Sequence, residues 1–303
     1  MSKILNLVDI DKSDIKYQIQ KFPDGQQNIV LKHVHLEFGY RHLPIQIKSR
    51  LNNWLDLELI VCAVASLREL GTEEIHLYTP YIMGARSDRK FEQGGNNYLK
   101  DVICPVINSL NFKTVTCIDP HSDVLEACIN RFRKDTIGQF GLFKWSVGKI
   151  YNDILPKVGG ELKDIEGKYI LISPDAGASK KIYKLAEQIG YKGDIITCSK
   201  DRDNNGNLTK TVVPIEHKHI RKDYTIIDDI CDGGATFINI AKELKAHMQN
   251  DLHAGKIYLI VTHSIFSKGT DELLKYFDGI YTTNSYQDLN PDTQSFVKQL
   301  NVF

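Results

Sequence analysis

Two adjacent carboxylates, Asp228 and Asp229, close an apolar run at Ile226 and Ile227 and are followed by Asp232, Gly233, Gly234, Ala235 and Thr236. Glycines in a short loop let backbone N–H groups converge on an anion, and a helix starting near Phe237 adds its dipole. Paired acids at a strand end can hold sugar hydroxyls, directly or through Mg2+, which prefers carboxylate and phosphate oxygens. The stretch YTIIDDICDGGATFIN therefore predicts a strand, a loop and a helix N-terminus that cradle a ribose and its phosphate. Asp-ended strands and Gly turns also occur in α/β proteins that bind nothing there, so the loop alone is weak evidence of a ligand.

Four further segments carry reactive side chains. In PYIMGARSDRK, Arg86, Arg89 and Lys90 accompany Asp88, and cationic forks of this kind suit polyphosphate. Asp119, Pro120 and His121 follow an apolar run, where a neutral imidazole can bind metal or phosphate. In SPDAGASKK, Asp175 stands between a strand and a helix, with Gly177 allowing close approach of a ligand. Finally, Lys200 and Arg202 alternate along SKDR, so an extended backbone puts both cations on one side. The polar tip DNNGN that follows reads as a hairpin or flap. Taken singly, each of the four is more often a solvated loop or a structural histidine.

The elements that must position these groups alternate. Strands are expected at 75–79, 114–118, 169–173, 194–198, 225–228, 257–262 and 279–282, and helices at 57–70, 98–110, 180–189, 237–249 and 270–276. That order implies an α/β fold, two mainly parallel sheets each covered by helices on both faces. Two halves are expected, residues 1–146 and 147–303, with the glycine-bearing stretch 140–160 as their connection. Ligands of open α/β sheets bind beyond the carboxyl ends of strands, and the polar segments fall at such ends.

Composition narrows the partners. Lys plus Arg equals Asp plus Glu at 38 each in 303 residues, so no global field recruits nucleic acid or an anionic membrane. No apolar run approaches the ~20 residues of a membrane span, and the N-terminal residues lack a signal peptide's apolar core, which makes a cytoplasmic protein the expectation. The six cysteines form no CxxC pair and read as small buried hydrophobes in a reducing compartment.

Taken in order, FPDG at residues 22–25, PYIMGARSDRK, DPH, SPDAG, KDR, IIDDICDGGAT and THSIFSKG at residues 262–269 resemble the successive motifs of the ribose-phosphate pyrophosphokinases over nearly the whole chain. The resemblance implies two phosphoribosyltransferase-like domains, with an active site between them that a neighbouring subunit completes in a homo-oligomer, a dimer or hexamer. It implies transfer of the β,γ-diphosphoryl group of ATP to the C1 hydroxyl of ribose 5-phosphate, releasing AMP. By the same resemblance His121 and Asp175 bind the Mg2+ of MgATP, Arg86 with Asp88 contacts the nucleotide, and Phe22 and Asp24 reach a neighbouring subunit's adenine. Lys200 and Arg202, with His121, serve the transferred group. Asp228 and Asp229 hold the ribose hydroxyls, and Asp232, Gly233, Gly234, Ala235 and Thr236 hold its 5-phosphate.

The chain departs from the family where that phosphate binds. The family's loop reads Asp-Thr-Gly-Gly-Thr or close to it, whereas here it is Asp232-Gly233-Gly234-Ala235-Thr236. Loss of a hydroxyl donor to a charged oxygen costs on the order of 1.5–3 kcal/mol unless it is replaced. The roomier loop suits a ribose whose 5-phosphate bears a further group, such as ADP-ribose; backbone donors alone would equally retain ribose 5-phosphate. Gln26, Ser87 and Asn96-Asn97-Tyr98 also differ from the family pattern, and the segment SDVLEACI after His121 lacks its Gly-Phe-Phe, so allosteric phosphate and ADP control is not expected. A phosphoribosyltransferase, or a non-catalytic regulatory homologue of the synthetase, are the alternative readings.

Overall fold

A computed structural model describes the chain except residues 1, 33–42, 136, 152–166, 203–207, 220 and 250, and describes residues 137, 200–202, 208–210 and 294 by backbone alone. The chain divides into two compact units, residues 1–135 with 302–303, and residues 136–301.

In the first unit the strands are β1 (Lys3–Asn6), β2 (Tyr17–Lys21), β3 (Gln27–Leu31), β4 (Ile45–Lys48), β5 (Ile75–Tyr78), β6 (Thr114–Cys117) and β7 (Phe132–Lys134), and the helices α1 (Trp54–Glu69), α2 (Cys104–Ser109) and α3 (Asp123–Cys128). Five strands form a parallel sheet in the order β1-β4-β5-β6-β7, while β2 and β3 make a separate antiparallel pair. Helix α1 starts where Asn53 Oδ1 accepts from the N–H groups of Leu55 and Asp56 at 2.9 and 3.1 Å, relieving two of the orphan donors of a helix start. Its buried Leu57, Ile60, Val64 and Leu67 recur at spacings of three and four, so one stripe faces the core.

The second unit contains α4 (Leu142–Ile150), β8 (Tyr169–Ser173), α5 (Ala176–Ile189), β9 (Ile195–Thr197), β10 (Ser199–Arg202), β11 (Leu208–Val212), β12 (Asp223–Cys231), α6 (Ala235–Met248), β13 (Ile257–Ser264), α7 (Asp271–Leu274), β14 (Gly279–Thr283), α8 (Pro291–Phe296) and β15 (Val297–Leu300). Its parallel sheet runs β15-β14-β13-β12-β8-β9. The two-residue period of a strand sends alternate side chains to opposite faces. Ile170, Ile172, Tyr224, Ile226, Leu259 and Val261 join one core with Phe237, Ile240 and Leu244 of α6. Tyr169, Leu171, Ile227, Tyr258 and Ile260 join the other with Phe143 and Val147 of α4 and Ile182 and Leu185 of α5. A sheet buried on both faces explains why β8 and β13 open as the continuous apolar runs YILI and IYLIV.

The expected α/β class and both mainly parallel sheets are present. Part of the stretch read as a connection is instead helix α4, because Leu142, Phe143 and Val147 have a sheet face to cover. Strand β12 extends through Asp229 to Cys231, three residues past the expected end, and α6 starts two residues earlier than expected. Strands β1, β4, β7 and β15 were not expected; each has only three or four residues. All six cysteines are free thiols, four of them buried. Among the described residues no helix is long and apolar enough to cross a membrane.

Candidate functional site

In the second unit, β8, β12 and β13 are neighbours and parallel, so their carboxyl ends bring three of the singled-out segments to one edge of the sheet. Asp228 and Asp229 lie in the carboxyl-terminal half of β12. Asp229 N–H donates to Asp228 Oδ1 at 2.9 Å, and Asp229 is buried. Burial, then the charge of Asp229, push the Asp228 carboxyl well above the ordinary carboxylate range. Asp229 Oδ2 pairs with Lys181 Nζ of α5 at 3.1 Å. The two acids thus differ: one is held by a cation, while the other sits where a proton, or hydroxyl donors from a ligand, is favoured. Burial pushes the neighbouring Cys231 thiol up to about 12, so it is no thiolate nucleophile at neutral pH.

The loop after β12 turns at Gly234, whose φ of +78° is left-handed; a Cβ there would meet Leu273 Cδ2 at 3.0 Å. Gly234 is also the N-cap of α6 and offers no side-chain acceptor, which leaves the first-turn N–H groups to an external anion. The loop is fixed by the segment after β13. Ile265 and Phe266 N–H both donate to Cys231 O at 2.9 and 3.1 Å, and Ser267 Oγ donates to Asp232 Oδ1 at 2.5 Å. The stem of Lys268 then runs beside Gly233: a Cβ on that glycine would lie 3.3 Å from Lys268 Cδ and 3.4 Å from its Cε.

Asp175 follows β8 as the N-cap of α5, its Oδ1 accepting from Ala178 N–H at 3.0 Å. Ser173 Oγ and Ser179 Oγ both donate to Asp175 O, at 2.7 and 3.2 Å, and so set the turn that carries the carboxylate. Lys200 and Arg202 lie on β10, which pairs antiparallel with β11 in the register Lys200↔Thr211 and Arg202↔Leu208. Their side chains and the tip at residues 203–207 lie outside the described residues.

In the first unit, β5 and β6 are adjacent and parallel, so the segments carrying Arg86 with Asp88 and Asp119 to His121 leave the same edge. Thr79 N–H donates to Thr116 O at 2.9 Å and Ile118 N–H to Pro80 O at 3.0 Å, which extends the pairing into both segments. Asp119 has a left-handed φ of 40° just before the exposed His121. Gly84, with φ +78°, is required where a Cβ would stand 2.8 Å from Tyr98 Cδ1; Arg86 beyond it is exposed. Phe22 and Asp24 occupy the tip between β2 and β3, apart from that edge. Asp24 Oδ1 accepts from Gln26 N–H at 3.1 Å, and Phe22 is 45% exposed.

Sequence reasoning gave no role to Lys181 or Lys268. Lys181 was legible only as helix spacing, two turns beyond the Asp175 cap, since nothing local says that its ammonium meets a carboxylate on β12. Among the described residues no three His, Cys, Asp or Glu side chains converge on a metal-sized point. Mg2+ is commonly held by one or two protein groups and completed by substrate phosphates; in the second unit the strand-end Asp175 offers a carboxylate of that kind, and in the first unit His121 is exposed.

No family model matches the chain. It is similar to the ribose-phosphate pyrophosphokinase of Thermosipho africanus, at 24% identity over 283 residues covering 92% of this chain and 81% of that protein. The ribose-phosphate pyrophosphokinase of Pyrococcus furiosus is 26% identical over 271 residues, 88% of this chain and 85% of the relative. Among solved structures, phosphoribosylpyrophosphate synthetase from Mycobacterium smegmatis matches with a TM-score of 0.74 over 96% of this chain and 88% of that one; at 16% identity the likeness is one of fold.

Proposed function

We propose, on the premise that this chain is a family-level homologue of the ribose-phosphate pyrophosphokinases, that it is a diphosphokinase-type transferase. It moves the β,γ-diphosphoryl group of ATP to the C1 hydroxyl of ribose 5-phosphate or of a 5-phosphate-substituted ribose such as ADP-ribose. The observation that carries this reading is the shared edge of β8, β12 and β13. There Asp175, the Asp228–Asp229 pair and the uncapped N-terminus of α6 meet as a metal, sugar and phosphate cradle would require.

In this reading the acceptor's 5-phosphate accepts hydrogen bonds from the first-turn N–H groups of α6 and from the Thr236 hydroxyl, with Asp232 shaping the loop. Asp228 and Asp229 accept from the ribose hydroxyls, and the ion pair with Lys181 fixes the Asp229 carboxylate in place for that task. The C1 oxygen attacks the β-phosphorus of ATP, the bond from that phosphorus to the bridging α,β-oxygen breaks, and AMP leaves with the electron pair while the hydroxyl proton passes to solvent. His121 and Asp175 are the residues that would hold Mg2+, which when bound with the nucleotide would supply charge neutralisation for the transfer. Lys200 and Arg202 stabilise the charge that develops on the transferred group, the largest kind of contribution in such transfers. Arg86 and Asp88 contact the nucleotide. Phe22 and Asp24 extend from their hairpin to the adenine bound by a neighbouring copy, which makes the working form a homo-oligomer.

Incubation with MgATP and each sugar, with AMP and a C1 diphosphate followed by phosphorus NMR, tests the reading. AMP formation that depends on the sugar is the expected result. Diphosphate release that depends instead on a free base would indicate a phosphoribosyltransferase, and no turnover with any acceptor would indicate a regulatory homologue.

A further inference from the structure

The phosphate loop and the turn after β13 fit each other in a way that the sugar cradle alone does not use. Ile265 and Phe266 donate to Cys231 O, and Ser267 donates to Asp232, so the turn is tied to the residues immediately before Gly233 by three hydrogen bonds. Phe266 and Gly269 both adopt left-handed backbone, φ +46° and +71°, which bends the turn so that Lys268 lies between two fixed points. Its stem packs along Gly233, 3.3 to 3.6 Å from the place of a Cβ there, so a side chain on that residue would press the stem outward by a few tenths of an ångström. The absent side chain at Gly233 and the presence of a lysine stem are thus one packing arrangement: the glycine makes the room, and the lysine uses it.

The chemical consequence is a change of donor. A short hydroxyl at residue 233 would reach only a phosphate seated on the loop. A lysine carries its charge ~6 Å from its own Cα on an extended stem, and a compact ammonium seeks phosphate oxygen as a point charge. Lys268 is exposed, and among the described residues no hydrogen bond or ion pair occupies its ammonium. A single phosphate is already served by the N–H groups of α6. A second phosphoryl group attached to it would stand outside the loop, where backbone donors end and a cation is needed.

We propose that Lys268 is a specificity-determining residue that binds the outer phosphoryl group of an acceptor whose ribose 5-phosphate is itself phosphoryl-substituted, a nucleoside-diphosphate ribose. The inference rests on the diphosphokinase reading above and names the acceptor class that this site takes. Gly233 is its complement, since it lets the lysine stem pack directly against the loop, where a Cβ would already be tight.

Calorimetric titration of ADP-ribose and of ribose 5-phosphate into the full chain and into Lys268→Ala and Lys268→Arg, paired with AMP release from MgATP for each sugar, tests it. Loss of one charge-assisted contact weakens ADP-ribose binding by about 10–100-fold. Ribose 5-phosphate binding changes much less, so the ratio of the two affinities shifts at least ~10-fold, and Lys268→Arg keeps most of it. Equal losses for both sugars, no loss for either, or a parent protein that does not bind ADP-ribose each overturn the role of Lys268. Absence of AMP release with both sugars overturns the diphosphokinase reading instead, and a preserved binding ratio with normal AMP release leaves that reading intact while removing Lys268 from it.

Discussion

Lys181 Nζ stands 3.1 Å from Asp229 Oδ2, a pair drawn from a helix and a strand 48 positions apart and nearly closed to solvent on the carboxylate side. Removing one partner of a buried pair leaves an uncompensated charge, which costs more than the pair itself contributes. Lys181→Met is expected to destabilise the protein by about 3 kcal/mol, toward the low end for such deletions because the lysine is partly exposed. Urea unfolding measures this. Recovery in Lys181→Arg would separate the charge from the packing of the stem.

Asp228 gives a pH prediction of definite sign. Its folded carboxyl titrates above the unfolded one, so the native state binds the extra proton, and the stability it contributes is full below the ordinary carboxylate range and lost as pH rises toward its folded value. Asp228→Asn, which mimics the protonated acid, should therefore raise the melting temperature at pH 7 relative to the parent chain, and the gain should vanish near pH 3. A gain of 1 kcal/mol would appear as roughly 2–4 °C. The same substitution removes an acceptor for ribose hydroxyls and should lower kcat/KM for the sugar. A melting-temperature difference that does not change with pH would contradict the assignment.

Gly234 carries two constraints at once, a left-handed backbone and a Cβ position 3.0 Å from Leu273 Cδ2. Left-handed backbone alone costs an alanine about 1–2 kcal/mol. Gly234→Ala should lower stability by at least about that amount and raise the KM for the sugar more than the KM for ATP, since the loop it distorts is the phosphate cradle. Steady-state kinetics on the folded fraction checks the split.

The tip residues Phe22 and Asp24 and the β10 residue Lys200 allow a test of assembly. Phe22 is exposed, so Phe22→Ala should leave stability within about 0.5 kcal/mol while raising the KM for ATP. Lys200→Ala should lower AMP formation on the order of 100-fold or more with the fold intact. Mixed after partial dissociation and assayed at an ATP concentration too low for Phe22→Ala to turn over well, the two impaired variants should together exceed the sum of their separate activities, because a mixed oligomer holds some sites with both groups intact. No recovery would mean that the β2–β3 tip serves its own chain.

Much of the fold was legible because its strands obey simple rules. Tyr169–Ser173 was bounded correctly, since its four apolar residues and closing serine make a run too short for a helix and flanked by polar turns. Helix α4 was missed because its glycine-bearing sequence reads as a linker until a sheet face is there to receive Phe143 and Val147. The antiparallel pair β2–β3 was missed as well, four of its ten residues being Gln or Asn and only Tyr17, Gln27 and Ile29 being buried, though the glycine of its turn is part of FPDG.

By itself the sequence determined which chemistry is present: acids, cations and a glycine loop at strand ends, in an order that fixes strand, loop and helix through local periodicity and turn propensity. Tertiary structure decided what those groups do to one another. That Asp229 is paired and Asp228 raised, and that Gly233 leaves space for Lys268, depend on neighbours brought from other strands and helices, and burial and distance, which set charge and packing, are properties of the folded chain.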